Sequence, residues 1–219
     1  MLILSHRGYH PDNSPENTLE AFDRSREMGI DGIETDIRLS ADGMLVLFHD
    51  RLTPDKREVA SLTAQELSEV VGYSVPTLEH VLALDRFKDI LWNLEIKIPT
   101  AVKETISVVN HYIETRRFLI TSFWHSIVLQ CSQSLNVDCG LLIAHQPLSL
   151  DSLLQTLPIR GHVNTIVWNY ETLDDVLLQK SVYHGLKNFV YGVETEIDHQ
   201  RLADMPLYGV ITDHPNFLL

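Results

Sequence analysis

The chain has 219 residues, of which 44% are hydrophobic, and its 30 acidic and 17 basic residues give a formal net charge of −13. This hydrophobic content argues against disorder, and the negative charge disfavours binding of nucleic acid or of an anionic membrane through a broad basic face. Binding of a single phosphate is compatible with the charge, because it needs only one arginine or one cation.

The apolar segments of the chain are short. The start, Met-Leu-Ile-Leu at residues 1–4, lacks the basic region and the apolar length of a signal peptide, and no segment is long enough to cross a bilayer. We therefore expect a soluble, cytoplasmic protein. Cys131 and Cys139 form no CxxC motif and are predicted to be small buried hydrophobic residues, with a disulfide or a reactive thiol as the alternative.

Short segments rich in apolar and β-branched residues alternate with helical patterns. Strands are predicted, in chain order, at residues 2–5, 32–37, 44–48, 90–96, 118–122, 140–144, 165–168, 189–193 and 209–212. Helices are predicted at residues 15–28, 63–70, 77–85, 100–114, 124–133, 150–156, 173–180 and 197–203. The Ala-Asp-Gly turn at 41–43 indicates that the second and third strands form a hairpin or simply follow one another.

This order of elements predicts the fold. Apart from the third strand, strand and helix alternate about eight times at roughly 27 residues per unit, which is typical of a small (β/α)8 TIM barrel. No change of composition and no linker rich in proline, glycine or serine marks a boundary, so we expect one domain over residues 1–219. A doubly wound open sheet is the alternative, but its glycine-rich phosphate loop is missing from the sequence.

Three carboxylates are predicted to point into the barrel near the carboxyl ends of two strands. In one strand Glu34 and Asp36 share a face, and in another Glu95 shares a face with Asn93 and Lys97. The opposite face of each strand is apolar and is expected to pack on the helices. Because buried, unpaired carboxylates are unfavourable, the cluster predicts a cation, and ligation by oxygen alone favours Mg²⁺ or Ca²⁺ over Zn²⁺.

The alternative interpretation is that these carboxylates are rim residues in salt bridges, with Lys97 as one partner. We favour the cation, because three carboxylates outnumber the one lysine.

Two histidines flank the carboxylates in the sequence. His6 and His49 each end an apolar segment, and a pair of imidazoles that titrate near neutral pH can act as general base and general acid. Arg7, beside the first of them, can bind a phosphate oxygen and stabilise the charge that develops on it. A lone histidine at a strand end is more often structural, but this combination predicts a site that cleaves a phosphate ester.

The segment before the first predicted helix allows two interpretations. Ser14 and Pro15 fit an N-cap and a first helical residue, in which case Glu16 is part of the helix. Alternatively, Glu16 orients a group of the active site. Near the end of the chain, Thr212 and Asp213 are predicted to cap the last short turn and to close the barrel against the first strand.

Six short motifs follow one another along the chain. They are His-Arg-Gly at residues 6–8, Pro-Glu-Asn-Thr at 15–18, Gly-Ile-Glu-Thr-Asp at 32–36, Leu-Phe-His-Asp at 47–50, Leu-Glu-Ile-Lys at 94–97 and Ile-Thr-Asp-His-Pro at 211–215. Each motif alone is weak evidence, but the ordered set resembles the glycerophosphodiester phosphodiesterase family over residues 2–215.

The resemblance implies roles for the residues at matching positions. The positions that match the acid/base pair are His6 and His49, and those that match the ligands of a divalent cation, Mg²⁺ or Ca²⁺, are Glu34, Asp36 and Glu95. The positions that match phosphate-binding and supporting residues are Arg7, Lys97 and Glu16. The implied reaction is metal-dependent hydrolysis of a small glycerophosphodiester to sn-glycerol 3-phosphate and an alcohol.

Two segments depart from the family pattern. The family's Trp-Thr-Val-Asn string is replaced by Tyr-Gly-Val-Glu at residues 191–194, in which Tyr191 can still stack on the alcohol, whereas Glu194 adds a negative charge where a neutral amide is usual. The segment after Asp50 is short, so we expect a small substrate cap and an open site. Phe123 matches a further family position near the site, with a place in the core at a helix start as the alternative.

Two other functions are compatible with these residues. A lysophospholipase D-like or other lipid phosphodiesterase would use the same site on a longer substrate, and it predicts an exposed apolar rim at the barrel mouth. A non-catalytic barrel that binds a phosphate ligand predicts stabilisation by the ligand without turnover. The histidine pair argues against the second alternative, because a binding protein does not need an acid and a base.

Overall fold

Strands and helices alternate along residues 1–12, 14–155 and 162–219, which the computed structural model describes. The strands are β1 (Leu2–His6), β2 (Gly32–Leu39), β3 (Leu45–Leu47), β4 (Leu91–Ile96), β5 (Arg117–Ser122), β6 (Asp138–Ile143), β7 (Val163–Asn169), β8 (Lys187–Tyr191) and β9 (Gly209–Thr212). The helices are α1 (Leu19–Glu27), α2 (Ala64–Val71), α3 (Leu78–Ala83), α4 (Val102–Tyr112), α5 (His125–Ser134), α6 (Leu150–Gln155), α7 (Asp175–Tyr183) and α8 (Glu196–Arg201).

Eight of the described strands close a parallel barrel, which confirms the predicted TIM-barrel fold. The order around the ring is β1, β2, β4, β5, β6, β7, β8 and β9, and β9 pairs in parallel with β1. Strand β3 lies outside the ring and pairs antiparallel with β2, with Ile37 opposite Leu47. The second and third predicted strands therefore do form a hairpin.

Alternate residues of each strand face the helices or the barrel interior, as the sequence predicts. On β2, Ile33 and Ile37 belong to the large apolar core between the strands and the helices. The interior holds a second apolar cluster, which we call the inner apolar layer: Leu4, Leu91, Leu119, Leu142, Val167, Phe189 and Ile211. Burial of one such side chain stabilises the fold by about 1.5–3 kcal/mol.

The first helix begins later than predicted. Asn17 has a φ of 54°, and its backbone N–H donates to the carbonyl of Arg7 at 2.8 Å, which keeps the preceding residues out of the helix. Thr18 is the N-cap of α1, and its side chain accepts a hydrogen bond from a backbone N–H of the first turn. The interpretation of Ser14 as the N-cap is therefore wrong, and Glu16 lies in the loop after β1.

The other predicted elements agree with the structure to within a few residues at each end. Residue 156, the last of the helix predicted at 150–156, lies outside the described residues.

The two cysteines are free and buried, as predicted for Cys131 and Cys139. Burial raises the pKa of the Cys131 thiol to about 12, which keeps it protonated near neutral pH. Within the described ranges, no helix has both the length and the apolar character needed to span a bilayer.

Candidate active site

The predicted site residues meet at the carboxyl ends of the barrel strands, where the loops of a parallel barrel gather. A cavity of about 220 Å³, which we call the main cavity, opens at this end. Seven of the predicted residues line it: His6, Arg7, Glu34, His49, Glu95, Lys97 and Tyr191. The other two lie directly behind them, because Asp36 is in contact with Lys97 and Glu16 is in contact with Arg7.

The three predicted carboxylates form one buried cluster. Glu34, Asp36 and Glu95 are 3%, 0% and 8% exposed, and each offers an oxygen atom within 4.8 Å of the other two. The Oε1 atom of Glu34 is buried without a hydrogen-bond partner in the described part of the chain. An unpartnered buried carboxylate oxygen within an all-oxygen donor set is what a hard divalent cation requires.

The carboxylates repel one another when no cation is bound. Burial, reinforced by the adjacent Asp36 charge, raises the pKa of Glu34 to about 8. Burial likewise raises the pKa of Glu95. Burial also disfavours the charge on Asp36, but the Lys97 ammonium and the Arg7 guanidinium outweigh it and hold the pKa of Asp36 below its usual range. The cluster thus carries more potential negative charge than its two cations neutralise.

Lys97 is a salt-bridge partner of the cluster, as the alternative interpretation predicts. Its Nζ lies 2.6 Å from Glu95 Oε1 and 3.2 Å from Asp36 Oδ1. No ion pair joins Lys97 to Glu34 among the described residues, so this lysine alone does not satisfy the cluster.

A sharp turn after β1 sets the position of Arg7. Its φ is 56° and that of Gly8 is 79°, so two successive residues adopt the left-handed conformation. A Cβ at Gly8 would lie 2.8 Å from the Cβ of Ala21, so only glycine fits beside α1. The backbone N–H of Arg7 donates to Glu34 Oε2 at 3.1 Å, which ties the turn to the carboxylate cluster.

Two carboxylates hold the Arg7 guanidinium. Its Nη1 donates to both oxygens of Glu16, at 3.0 and 2.9 Å, and its Nε lies 3.1 Å from Asp36 Oδ2. The geometry therefore agrees with the second interpretation of Glu16, as a residue that orients a group of the site.

Asn17 is a site residue that the sequence interpretation missed, although its Pro-Glu-Asn-Thr motif was noted. The side chain is 2% exposed, and its Nδ2 donates to Asp36 Oδ2 at 2.9 Å. Its Oδ1 accepts hydrogen bonds from Thr35 Oγ1 at 2.6 Å and from the Asp36 N–H at 3.3 Å. This amide therefore fixes both the backbone and the side chain of Asp36.

Each of the two histidines is held by a carboxylate through its Nδ1 atom. His6 Nδ1 lies 2.8 Å from Asp213 Oδ1, and His49 Nδ1 lies 2.8 Å from Asp50 Oδ1. Both imidazoles line the main cavity, and their Nε2 atoms are not engaged by these carboxylates. This arrangement fixes the ring and leaves the second nitrogen for proton transfer.

The surroundings of His6 favour its charged form. Burial opposes the charge, but the hydrogen bond to Asp213 and the Glu34 carboxylate, whose Oε2 lies 3.9 Å from Nε2, together raise the pKa of His6 above its ordinary value.

Asp213 is the second site residue that was missed. The sequence predicts that its segment closes the barrel against the first strand, which is confirmed, but it does not predict that the Asp213 side chain contacts His6. The N-cap of the last short turn, Pro215–Phe217, is His214, and the turn has no side-chain cap, so the capping prediction is wrong. Thr212 Oγ1 instead accepts a hydrogen bond from the backbone N–H of His214 at 2.9 Å, just before that turn. The signal for Asp213 was the late Ile-Thr-Asp-His-Pro motif.

Two aromatic rings, one just after β5 and one at the end of β8, line the main cavity. Phe123 and Tyr191 stand edge to face with centroids 6.1 Å apart. Phe123 is 43% exposed, so the alternative that places it in the core at a helix start is wrong.

The chain matches one family over almost its full length. The sequence model described as "Glycerophosphoryl diester phosphodiesterase family" matches residues 6–217. A glycerophosphodiester phosphodiesterase from Caldanaerobacter subterraneus subsp. tengcongensis is 29% identical over 244 residues, which cover 100% of this chain and 96% of the relative. Another, from Bacillus altitudinis, is 30% identical over 241 residues, which cover 98% of this chain and 95% of the relative.

A solved structure shares the fold. It is an Oleispira antarctica phosphodiesterase in complex with the product sn-glycerol-3-phosphate, with a TM-score of 0.80 and 22% identity, and the match covers 98% of this chain and 94% of that one. This structural match shows the fold, whereas the sequence matches show the family. The chain therefore belongs to the glycerophosphoryl diester phosphodiesterase family and is a phosphodiesterase.

Proposed function

We propose that this phosphodiesterase hydrolyses glycerophosphodiesters to sn-glycerol 3-phosphate and an alcohol, with a divalent cation bound. The observation that carries the proposal is the main cavity itself, in which two carboxylate-held histidines lie beside a buried cluster of three carboxylates. The Oleispira antarctica phosphodiesterase has sn-glycerol-3-phosphate as its product, and this supports the same product here.

The residues that would hold the cation are Glu34, Asp36 and Glu95. The unpartnered Oε1 of Glu34 and the all-oxygen donor set favour Mg²⁺ or Ca²⁺. When bound, such a cation supplies positive charge that neutralises the phosphate oxygens as negative charge builds up on them.

Arg7 and Lys97 would bind the phosphate of the substrate. Both line the main cavity, and both are already fixed by carboxylates, so little side-chain entropy is lost when the phosphate binds. Because Nη1 of Arg7 donates to Glu16 and Nε faces Asp36, Nη2 is the guanidinium nitrogen left to donate to phosphate oxygens.

His6 and His49 would transfer the protons. One imidazole accepts a proton from the attacking oxygen atom, and the other donates a proton to the leaving oxygen atom. The attacking oxygen belongs either to water or to a hydroxyl group of the substrate, in which case water then opens the cyclic phosphate that forms. Asp213 and Asp50 keep each ring in place through Nδ1, which leaves Nε2 for these transfers. Tyr191, which also lines the main cavity, would contact the substrate.

The test is release of glycerol 3-phosphate by the purified protein. The substrates are glycerophosphocholine, glycerophosphoethanolamine and glycerophosphoglycerol, each assayed with Mg²⁺, with Ca²⁺ and with a chelator. Metal-dependent release of glycerol 3-phosphate is the expected result. Turnover of detergent-dispersed lysolipid alone would favour the lysophospholipase D alternative, and ligand-induced stabilisation without any product would favour the binding protein.

A further inference from the structure

A second, smaller cavity adjoins the main cavity beside His6. Its volume is about 110 Å³, and we call it the side cavity. It shares three wall residues with the main cavity: His6, Tyr191 and Ile211. A phosphodiester bound next to His6 can therefore extend one of its two organic groups from the main cavity into the side cavity.

The side cavity has an acidic lining. Among the described residues its lining has the carboxylates of Glu194 and Asp213, the imidazoles of His6 and His214, and no lysine or arginine. The Asp213 carboxylate is bonded to His6, whereas the Glu194 side chain makes no hydrogen bond or ion pair within residues 1–12, 14–155 and 162–219. Glu194 thus offers an unpaired negative charge at the wall of a cavity that adjoins the catalytic residues.

The backbone of Glu194 is held on both sides. Gly192, with a φ of 75°, turns the chain at the end of β8, and Val193 is anchored in the core with 3% exposure. On the other side, Thr195 is the N-cap of α8, and its Oγ1 accepts a hydrogen bond from the backbone N–H of Asp198 at 3.1 Å. The carboxylate is therefore presented by an ordered turn between a strand and a helix.

We propose that the side cavity binds the alcohol group of the substrate and that Glu194 makes the enzyme prefer cationic alcohols, such as amino alcohols and quaternary ammonium alcohols. This inference rests on the proposed hydrolysis of glycerophosphodiesters. Glu194 is exposed, so we expect its carboxylate to attract an ammonium group as one exposed ion pair does, by a few-fold in affinity. The aromatic ring of Tyr191, which lines the same cavity, adds a surface on which alkylated ammonium groups bind well.

The negative charge of Glu194 also determines which end of the substrate we expect in the side cavity. The glycerol group is neutral and gains little from the unpaired Glu194 carboxylate, and an anionic group would be repelled by it. A cationic alcohol is the kind of group that this carboxylate attracts. The glycerol group then occupies the main cavity.

The test compares kcat/KM for two cationic substrates, glycerophosphocholine and glycerophosphoethanolamine, with that for glycerophosphoglycerol, whose alcohol is neutral. In Glu194→Gln, which keeps the size of the side chain, we expect the ratio of cationic to neutral kcat/KM to fall about 5-fold, as for one partly exposed ion pair. In the parent protein the same ratio is expected to fall as ionic strength rises, because salt screens the attraction.

The matched control is Glu196→Gln, which removes the same charge two residues further along, from an exposed glutamate that does not line the side cavity. Its substrate ratio should equal that of the parent protein. An unchanged ratio in Glu194→Gln, or an equal fall in both variants, would overturn the inference while leaving the hydrolysis in place. Absence of turnover on all three substrates would overturn both proposals.

Discussion

The same strands supply two layers of the barrel interior that differ in chemistry. One is the inner apolar layer. The other, which we call the upper layer, lies at the carboxyl ends of the strands and consists of the residues His6, Glu34, His49, Glu95, Lys97 and Phe123 around the main cavity, with Asp36 behind Lys97. On β1 the inner apolar layer receives Leu4, and the next inward residue is His6 of the active site. On β9, Ile211 is likewise followed two residues later by Asp213. Two residues along a strand, a distance of about 7 Å, thus separate the apolar side chains from those of the candidate site.

The difference between the layers lies in what each residue contributes to stability. Side chains of the inner apolar layer stabilise the folded state by burial. The carboxylates of the upper layer are buried at a cost, which two cations offset in part and a metal ion would offset further. We therefore expect substitutions in the upper layer to abolish catalysis without unfolding the protein. Substitutions in the inner apolar layer should instead lower the stability of the fold.

The largest expected effect is on catalysis. Replacement of His6 or His49 by alanine should lower kcat by about 10²–10⁴, because each ring is assigned a proton transfer. The midpoint of thermal unfolding should change little, since both rings line an open cavity. Initial rates and melting curves test this, with His80→Ala, an exposed histidine on α3, as the control. Rates near that of the parent protein in both variants would remove the histidines from the mechanism.

The second prediction concerns the inner apolar layer. Phe189→Ala should lower the free energy of unfolding by about 3–5 kcal/mol, because Phe189 is 1% exposed and its removal leaves a cavity. The matched change in the upper layer, Phe123→Ala, should cost less than about 1 kcal/mol, since that ring is half-exposed. Urea unfolding monitored by circular dichroism measures both values. An equal loss of unfolding free energy in the two variants would mean that both layers stabilise the fold by burial to the same extent.

Metal binding should offset the free-energy cost of burying the carboxylates of the upper layer. At a free Mg²⁺ concentration about 100 times the dissociation constant, the ion should stabilise the protein by about 2.7 kcal/mol, which corresponds to a rise of about 5–10 °C in the unfolding midpoint. Glu34→Gln keeps the size of the side chain but removes a ligand and should lose most of this shift. NaCl at matched ionic strength is the control, and an equal shift with NaCl would argue against a specific site.

The smallest of these effects is expected at Asp213. Asp213→Asn should lower kcat about 10-fold, because an amide can present an N–H to His6 Nδ1 and thereby disturb the orientation of the ring. Asp204→Asn, at an exposed position in the same part of the chain, is the control. A kcat equal to that of the control would mean that the contact between Asp213 and His6 does not serve catalysis.

The barrel and the carboxylate cluster were predictable because they depend on local patterns. The alternation of polar and apolar residues along β2 and β4 is enough to assign Glu34, Asp36 and Glu95 to the inward faces, and the closed barrel brings them together. Parallel strands in a closed ring leave few other places for such residues.

The missed residues depend on contacts that no local pattern contains. Asn17 reaches Asp36 only because it adopts a left-handed backbone conformation, which also delays the start of α1. Asp213 meets His6 across 207 positions of the sequence, when the last strand closes against the first. A propensity for turns and caps is visible in both segments, but the partner of each side chain is not.

The pairing of β9 with β1 makes the support of His6 depend on the last strand of the barrel. A chain truncated before residue 213 still contains the carboxylate cluster, both histidines, Arg7 and Lys97. It lacks the carboxylate that fixes His6 and the strand that closes the ring. Such a truncated chain therefore carries nearly all of the candidate site residues and still leaves the first histidine without its support.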